Sequence, residues 1–332
     1  MASFNGFIRS AAAAHRRAQR SHQQHLRESA RTQKFYLRQE AIGNAGSAVH
    51  HYNEYIDVLK TVHKDVSKKV NWSALLHEPP PMEPVFTNQH EKYATDTLLA
   101  YKPSFFGKVF GSSKKTTEKL SRNIEVSKEK DSAEYKTRMN DYTDLLKDQE
   151  GLKKLATGIL AQEVQSYIDA IDYFKPYSEI AELGSKVEVE ANTHHVTLDL
   201  HVNSSSIIPN YVLSQTSTGK LSKKNMAVSK FNELYQDYVC SSVLRVARET
   251  FALLPLNLVV VNALSEIHNT ATGITSTEVI LTVAISPDVL QAVNFELIDP
   301  SDSMRNFHYR MKFGKTTGFV PVERIKANSL IQ

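Results

Sequence analysis

IGNAGSAVHHYNEYIDVLKTVHKDVSKKV, residues 42–70, is the stretch whose reading decides the fold. Ile42, Ala45, Val49, Tyr52, Ile56, Leu59, Val66 and Val70 recur in alternating steps of three and four, and His63 alone interrupts the apolar series. Such a ladder is one seam of a helix. A lone helix leaves that stripe in water, so the spacing predicts a helical partner, as in a coiled coil.

Working outward, residues 10–70 contain no proline and read as helix nearly throughout. Gly43 and Gly46 are soft points, each costing about 1 kcal/mol against alanine. Pro79, Pro80, Pro81 and Pro84 then end the helix, because proline lacks an amide donor and restricts the residue before it. Trp72 is placed to anchor that turn. A short helix over 88–100 is stopped by Pro103, and PSFFGKVFGSSKK (103–115) reads as a crossing loop. A second long helix is expected over 116–174, with Met139, Tyr142 and Leu146, then Leu160, Val164, Tyr167, Ile171 and Phe174 on its seam, a slip near Gly151, and Lys175-Pro176 as its stop. Two long helices joined by a connector fold back most simply as an antiparallel pair.

After Gly184 the period changes. Val187 and Val189 alternate with Glu188 and Glu190, and Val196, Leu198, Leu200 and Val202 with His195, Thr197, Asp199 and His201. That is a hairpin with one buried face. Residues 203–222 read as polar loop, 227–252 as a helix with Val228, Phe231, Tyr235, Tyr238, Val243 and Val246 inward, and 256–264 and 278–285 as central strands. A short helix over 302–310 and an extended piece over 318–325 complete the order ββαββα. The fold class is therefore α+β: a long antiparallel, coiled-coil-like helical hairpin followed by a compact mixed-sheet domain. The expected divisions are a basic helical arm (1–40), the hairpin (41–180, with a proline-rich break at 79–84 and a loop at 103–115) and the α+β domain (184–328).

Composition narrows the function classes. Of 332 residues, 41% are apolar, enough for a packed core, and a net charge of +4 is too small to make the whole protein a polyanion binder. Cys240 is the only cysteine, so an intrachain disulfide is excluded and a reducing compartment is the natural reading. No apolar run reaches the roughly 20 residues that cross a bilayer. The Arg-, Ala- and Ser-rich start superficially resembles a mitochondrial transit peptide, but its basic pattern runs on to Arg38, and the chain is read as cytoplasmic.

Four constellations bear on chemistry. Residues 1–40 carry eight Lys/Arg against two acids, and Arg16, Arg20, Arg27, Arg31, Lys34 and Arg38 leave several cations on one helix side, a surface suited to phosphates or simply to water. Glu188, Glu190, His195, Asp199 and His201 share the polar face of the hairpin, where imidazoles beside carboxylates suit a divalent metal; the bland alternative is a solvated face with Lys186 roughly opposite Asp199 as an ion pair. On the helix over 227–252, Arg245 and Glu249 are spaced for a surface pair, Asp237 and Arg248 add charge, and Cys240 reads as a small buried residue. Finally Arg305, His308, Arg310, Lys312 and Lys315 interleave with Phe307, Tyr309 and Phe313, a pattern that suits single-stranded nucleic acid or an amphipathic helix over a sheet. The sequences 216–222 and 111–117 lack the glycine spacing of a phosphate-binding loop, and no hydrolase, zinc or redox signature occurs.

The reading that follows is a non-enzymatic interaction or scaffolding protein without a cofactor. It assembles with itself or another protein through the helical seam and presents the C-terminal domain to a partner. The alternative is a protein that binds nucleic acid through its basic N-terminal arm, with or without a metal-dependent nuclease site on the hairpin face.

Overall fold

The computed structural model describes residues 45–102, 112–182, 185–268, 272–327 and 330. Two compact units divide them, with boundaries at Trp72/Ser73 and Ala156/Thr157. The chain is α+β, and among the described residues no helix is long and apolar enough to cross a membrane.

The larger unit is built on a six-stranded sheet of order β1-β2-β5-β6-β7-β8, formed by β1 (Lys186–Ala191), β2 (His195–His201), β5 (Leu258–His268), β6 (Thr275–Ile285), β7 (His308–Gly314) and β8 (Gly318–Val320). Among the described strands only β2 and β5 pair in parallel. Parallel neighbours need a long crossover, and helix α7 (Val228–Leu253) supplies it. The alternation read in β2 holds: Val196, Leu198 and Leu200 are fully buried, whereas His195, Thr197, Asp199 and His201 are half-exposed on the other face. The centre of β5 is buried on both faces. On the outer one, Ile325 and Ala327 of the C-terminal segment cluster with Leu258, Val260 and Ala284.

Helix α1 (Ala45–Thr61) packs on α7 and on a separate two-stranded hairpin, β3 (Tyr211–Gln215) and β4 (Leu221–Asn225). The polar loop expected over 203–222 is thus partly strand. The helix expected to run to Val70 stops at Thr61, because the chain beyond it is received by α7. Arg248 donates to the carbonyls of His63 and Lys64, and Ser241 accepts the His63 amide at 2.9 Å. Glu249 accepts the Ser67 amide at 3.0 Å, and the Ala252 carbonyl accepts that of Val70 at 2.8 Å. His63 breaks the apolar ladder because its ring is buried between Ser241 and the Phe295 carbonyl. Trp72, the first residue of α2 (Trp72–Leu76), closes the segment as anticipated, donating to the Leu253 carbonyl at 2.6 Å and meeting Phe174 edge-on.

The second long helix also ends early. Helix α4 (Ser112–Leu160) runs straight through Gly151 and stops before α5 (Val164–Phe174). Gln162 takes a left-handed φ of 59°, its amide donates to Ile159 and the Glu163 amide donates to Gly158, which closes the helix as a Schellman turn. Gly158 then lets α5 come close: a Cβ there would lie 1.9 Å from the Ser166 hydroxyl. Tyr52, Tyr167 and Ile171, expected on an intermolecular seam, are buried within this unit. Beyond the short helix α8 (Pro287–Gln291), the helix expected over 302–310 is a four-residue turn of helix, α9 (Pro300–Ser303), and a 3-10 turn, after which β7 begins at His308. Tyr309, Met311 and Phe313 are the less exposed alternates of β7, and His308, Arg310 and Lys312 are exposed. Among the described residues the order is not a simple ββαββα, since β3, β4, β7 and β8 enlarge the domain.

The smaller unit contains α3 (Gln89–Ala100) and most of α4. Gln149 donates to the Pro79 carbonyl, Tyr135 meets Phe86 edge-on, Arg138 donates to Thr87, and Asp131 accepts the amides of His90 and Glu91. Positions fall along α4 as they rise along 79–91, so this unit is an antiparallel hairpin. Its short limb is a proline-rich extended strap followed by α3. Along α4, Leu120, Ile124, Tyr135, Met139, Tyr142 and Leu146 are only half-buried.

Candidate functional site

The polar face of the β1–β2 hairpin was the sequence's metal candidate. In the register, Glu188 lies opposite Asp199 and Lys186 opposite His201, so the pair expected between Lys186 and Asp199 does not form. Lys186 bonds Glu188 at 2.6 Å, holding that carboxyl below its usual range, and His201 lies 3.7 Å from Glu188. Both oxygens of Asp199 are taken by Arg324 at 2.7 Å, and Asn262 donates to one of them at 2.9 Å. Asn262 in turn accepts from Thr282 at 2.7 Å. Glu190 and His195 sit on the same face, Glu190 opposite Thr197 and His195 beside Leu258. Among the described residues no group of three or more His, Cys, Asp or Glu is arranged to hold a metal ion. The face is organised by ion pairs and a polar ladder that fastens the C-terminal segment. The arm bearing Arg16, Arg20, Arg27, Arg31, Lys34 and Arg38 lies outside the described residues.

Arg245 and Glu249, expected as a surface pair on α7, are buried. Arg245 pairs with Glu249 at 2.8 Å and with Glu179 of helix α6 (Ser178–Glu182) at 2.5 Å, all three side chains being largely buried. Arg245 Nε and Glu249 Oε2 are buried without a hydrogen-bond partner among the described residues. Arg248 stacks 4.0 Å over the Phe295 ring while capping the carbonyls after α1. Cys240 is fully buried, and burial pushes its thiol well up, which removes it as a nucleophile.

A third place is concave. An open groove of about 370 Å³ lies between α1, the β3–β4 hairpin and α7. Tyr52, Ile56, Val212, Met226 and Leu234 give it an apolar lining, with Asn53, Asp57 and Lys230 as its polar members. The helical period continues both walls toward a carboxylate pair: Lys60 lies one turn beyond Ile56, and Asp237 two turns beyond Lys230. Burial, and then the charge of Asp299, push Asp237 up to about 6, against a hydrogen bond from Ser301 and the charges of Lys60 and Lys230. Burial would also raise Asp299, but the amide of Asp302 and the amide and hydroxyl of Ser301 outweigh it and hold that carboxyl low. Two neighbouring carboxyls thus differ in protonation near pH 5.

Sequence reasoning noted Asp237 but missed Asp57, Lys60, Lys230, Asp299 and Ser301. Their only local signal is that Asn53, Ile56, Asp57 and Lys60 share one face of α1, and Lys230, Leu234 and Asp237 one face of α7. That these faces meet is tertiary information. The chain matches no protein-family model, and no curated protein or solved structure shows similarity to it.

Proposed function

We propose that the chain is a non-enzymatic interaction protein, which assembles through its helical hairpin unit and presents the α+β unit to a partner. The observation that carries this reading is apolar surface left in water. Met82, Val85, Tyr93 and Leu99 are exposed to 87%, 76%, 76% and 77% within a small helical unit. Four large apolar side chains left exposed on so small a body are surface that another molecule would bury. The half-buried stripe of α4 points the same way, because a strap and one short helix cover only part of a helix of about 73 Å. The single, buried cysteine is in keeping with a reducing compartment.

Light scattering over a wide concentration range tests the assembly. The expected mass exceeds the 37.4 kDa of one chain, and the triple change Met82→Lys, Tyr93→Lys and Leu99→Lys lowers it without altering far-ultraviolet circular dichroism. A particle that stays monomeric at every concentration refutes the reading. Filter binding at low salt separates it from the nucleic-acid alternative, since negligible retention of DNA and RNA is expected here.

A further inference from the structure

The β3–β4 hairpin and the start of α7 carry charge of one sign. Residues 211–232 carry Lys220, Lys223, Lys224 and Lys230 and no acid. All four lysines are exposed. Lys224 lies directly opposite Val212 across the hairpin, so the two side chains leave the same face. Val212 lines the groove, and Lys230 lines it from α7. The apolar trough of Ile56, Val212, Met226 and Leu234 is therefore flanked by lysines from two different elements.

We propose that this trough docks a short segment of a partner protein in which acidic residues neighbour a large aliphatic side chain. Both halves of that description are required by the site. The aliphatic side chain fills the trough, whose volume of about 370 Å³ suits one or two side chains and not a folded surface. The carboxylates answer Lys224 and Lys230, which steer the encounter and fix the direction of the segment. A nucleic acid fits less well. It brings no aliphatic group for the trough, and the aromatic ring nearest the lysines is engaged, with Lys223 Nζ 4.3 Å above Tyr211 and Tyr52 against its side. This docking extends the interaction reading by naming the partner's chemistry. It resides in the α+β unit, so its failure is distinguishable from failure of assembly through the helical hairpin.

A random dodecapeptide display library panned on the full chain tests the proposal. Selected sequences are expected to combine Asp or Glu with Leu, Ile or Phe, and their synthetic peptides to bind more weakly as salt is raised. Lys224→Glu with Lys230→Glu should weaken them at least tenfold, and Val212→Asp should do so independently, with melting temperature and circular dichroism showing that both variants stay folded. Selection of basic or uncharged sequences overturns the proposal, as does selection that is indifferent to the lysine reversal. Tighter retention of a 20-nucleotide oligothymidylate than of any selected peptide, lost in the same double variant, overturns the choice of a protein segment.

Discussion

Arg324 grips Asp199 through two parallel N–H···O bonds of 2.7 Å each, across 125 residues of chain. The pair continues through Asn262 and Thr282 to the amide of Ile325, which donates to Thr282 at 3.3 Å. The C-terminal segment is thus tied down by the same carboxylate that the sequence offered as a metal ligand.

Breaking that grip should loosen the segment more than the fold. Arg324 is about half-exposed, so Arg324→Ala is expected to cost only about 1 kcal/mol. Hydrogen exchange should show faster exchange at the Val322 and Ile325 amides, with little change in β5. Unchanged protection at both amides would remove the fastening role.

Asp237 makes stability depend on pH in the direction opposite to an ordinary paired carboxylate. Its folded value is pushed up to about 6, so between roughly pH 4 and pH 6 the folded chain binds more protons than the unfolded one, and stability falls as pH rises through that window. Asp237→Asn should stabilise the protein by about 1–2 kcal/mol above pH 6, with the gain vanishing below about pH 4. Urea denaturation at a series of pH values measures this; an equal gain at every pH would show that charge is not involved.

The buried ions around Arg245 should respond asymmetrically. Arg245→Met alone leaves the Glu249 carboxylate buried without its cation and is expected to cost about 3–5 kcal/mol. Adding Glu249→Leu should recover a substantial part of that loss, although the Ser67 amide then loses its acceptor. Additive losses in thermal unfolding would contradict the coupling.

Asp131 caps a helix to which it does not belong. Burial opposes its ionisation, yet the amides of Glu91 and His90 hold its carboxyl below the usual range. Its contribution is therefore present above about pH 4 and lost as pH falls through the lower folded value. Asp131→Ala should speed exchange of the His90 and Glu91 amides at neutral pH and leave α7 unaffected.

What the sequence determined by itself was the identity of elements with a dense period and a local stop. The β1–β2 hairpin, the central strands β5 and β6, the body of α7 and the anchoring of Trp72 were all legible. In each, which face is buried follows from residues two, three or four apart. Only the tertiary structure decided where α1 ends, because the carbonyl of His63 is claimed by Arg248 from 185 residues away. It likewise decided the end of α4, where Gln162 adopts a turn usually given to glycine, and the strands β3 and β4, whose polar residues 214–225 carry little alternation. The groove belongs to the same category. A period records that a face is covered, but the donor, acceptor or wall that covers it comes from distant chain, and no local pattern encodes that encounter.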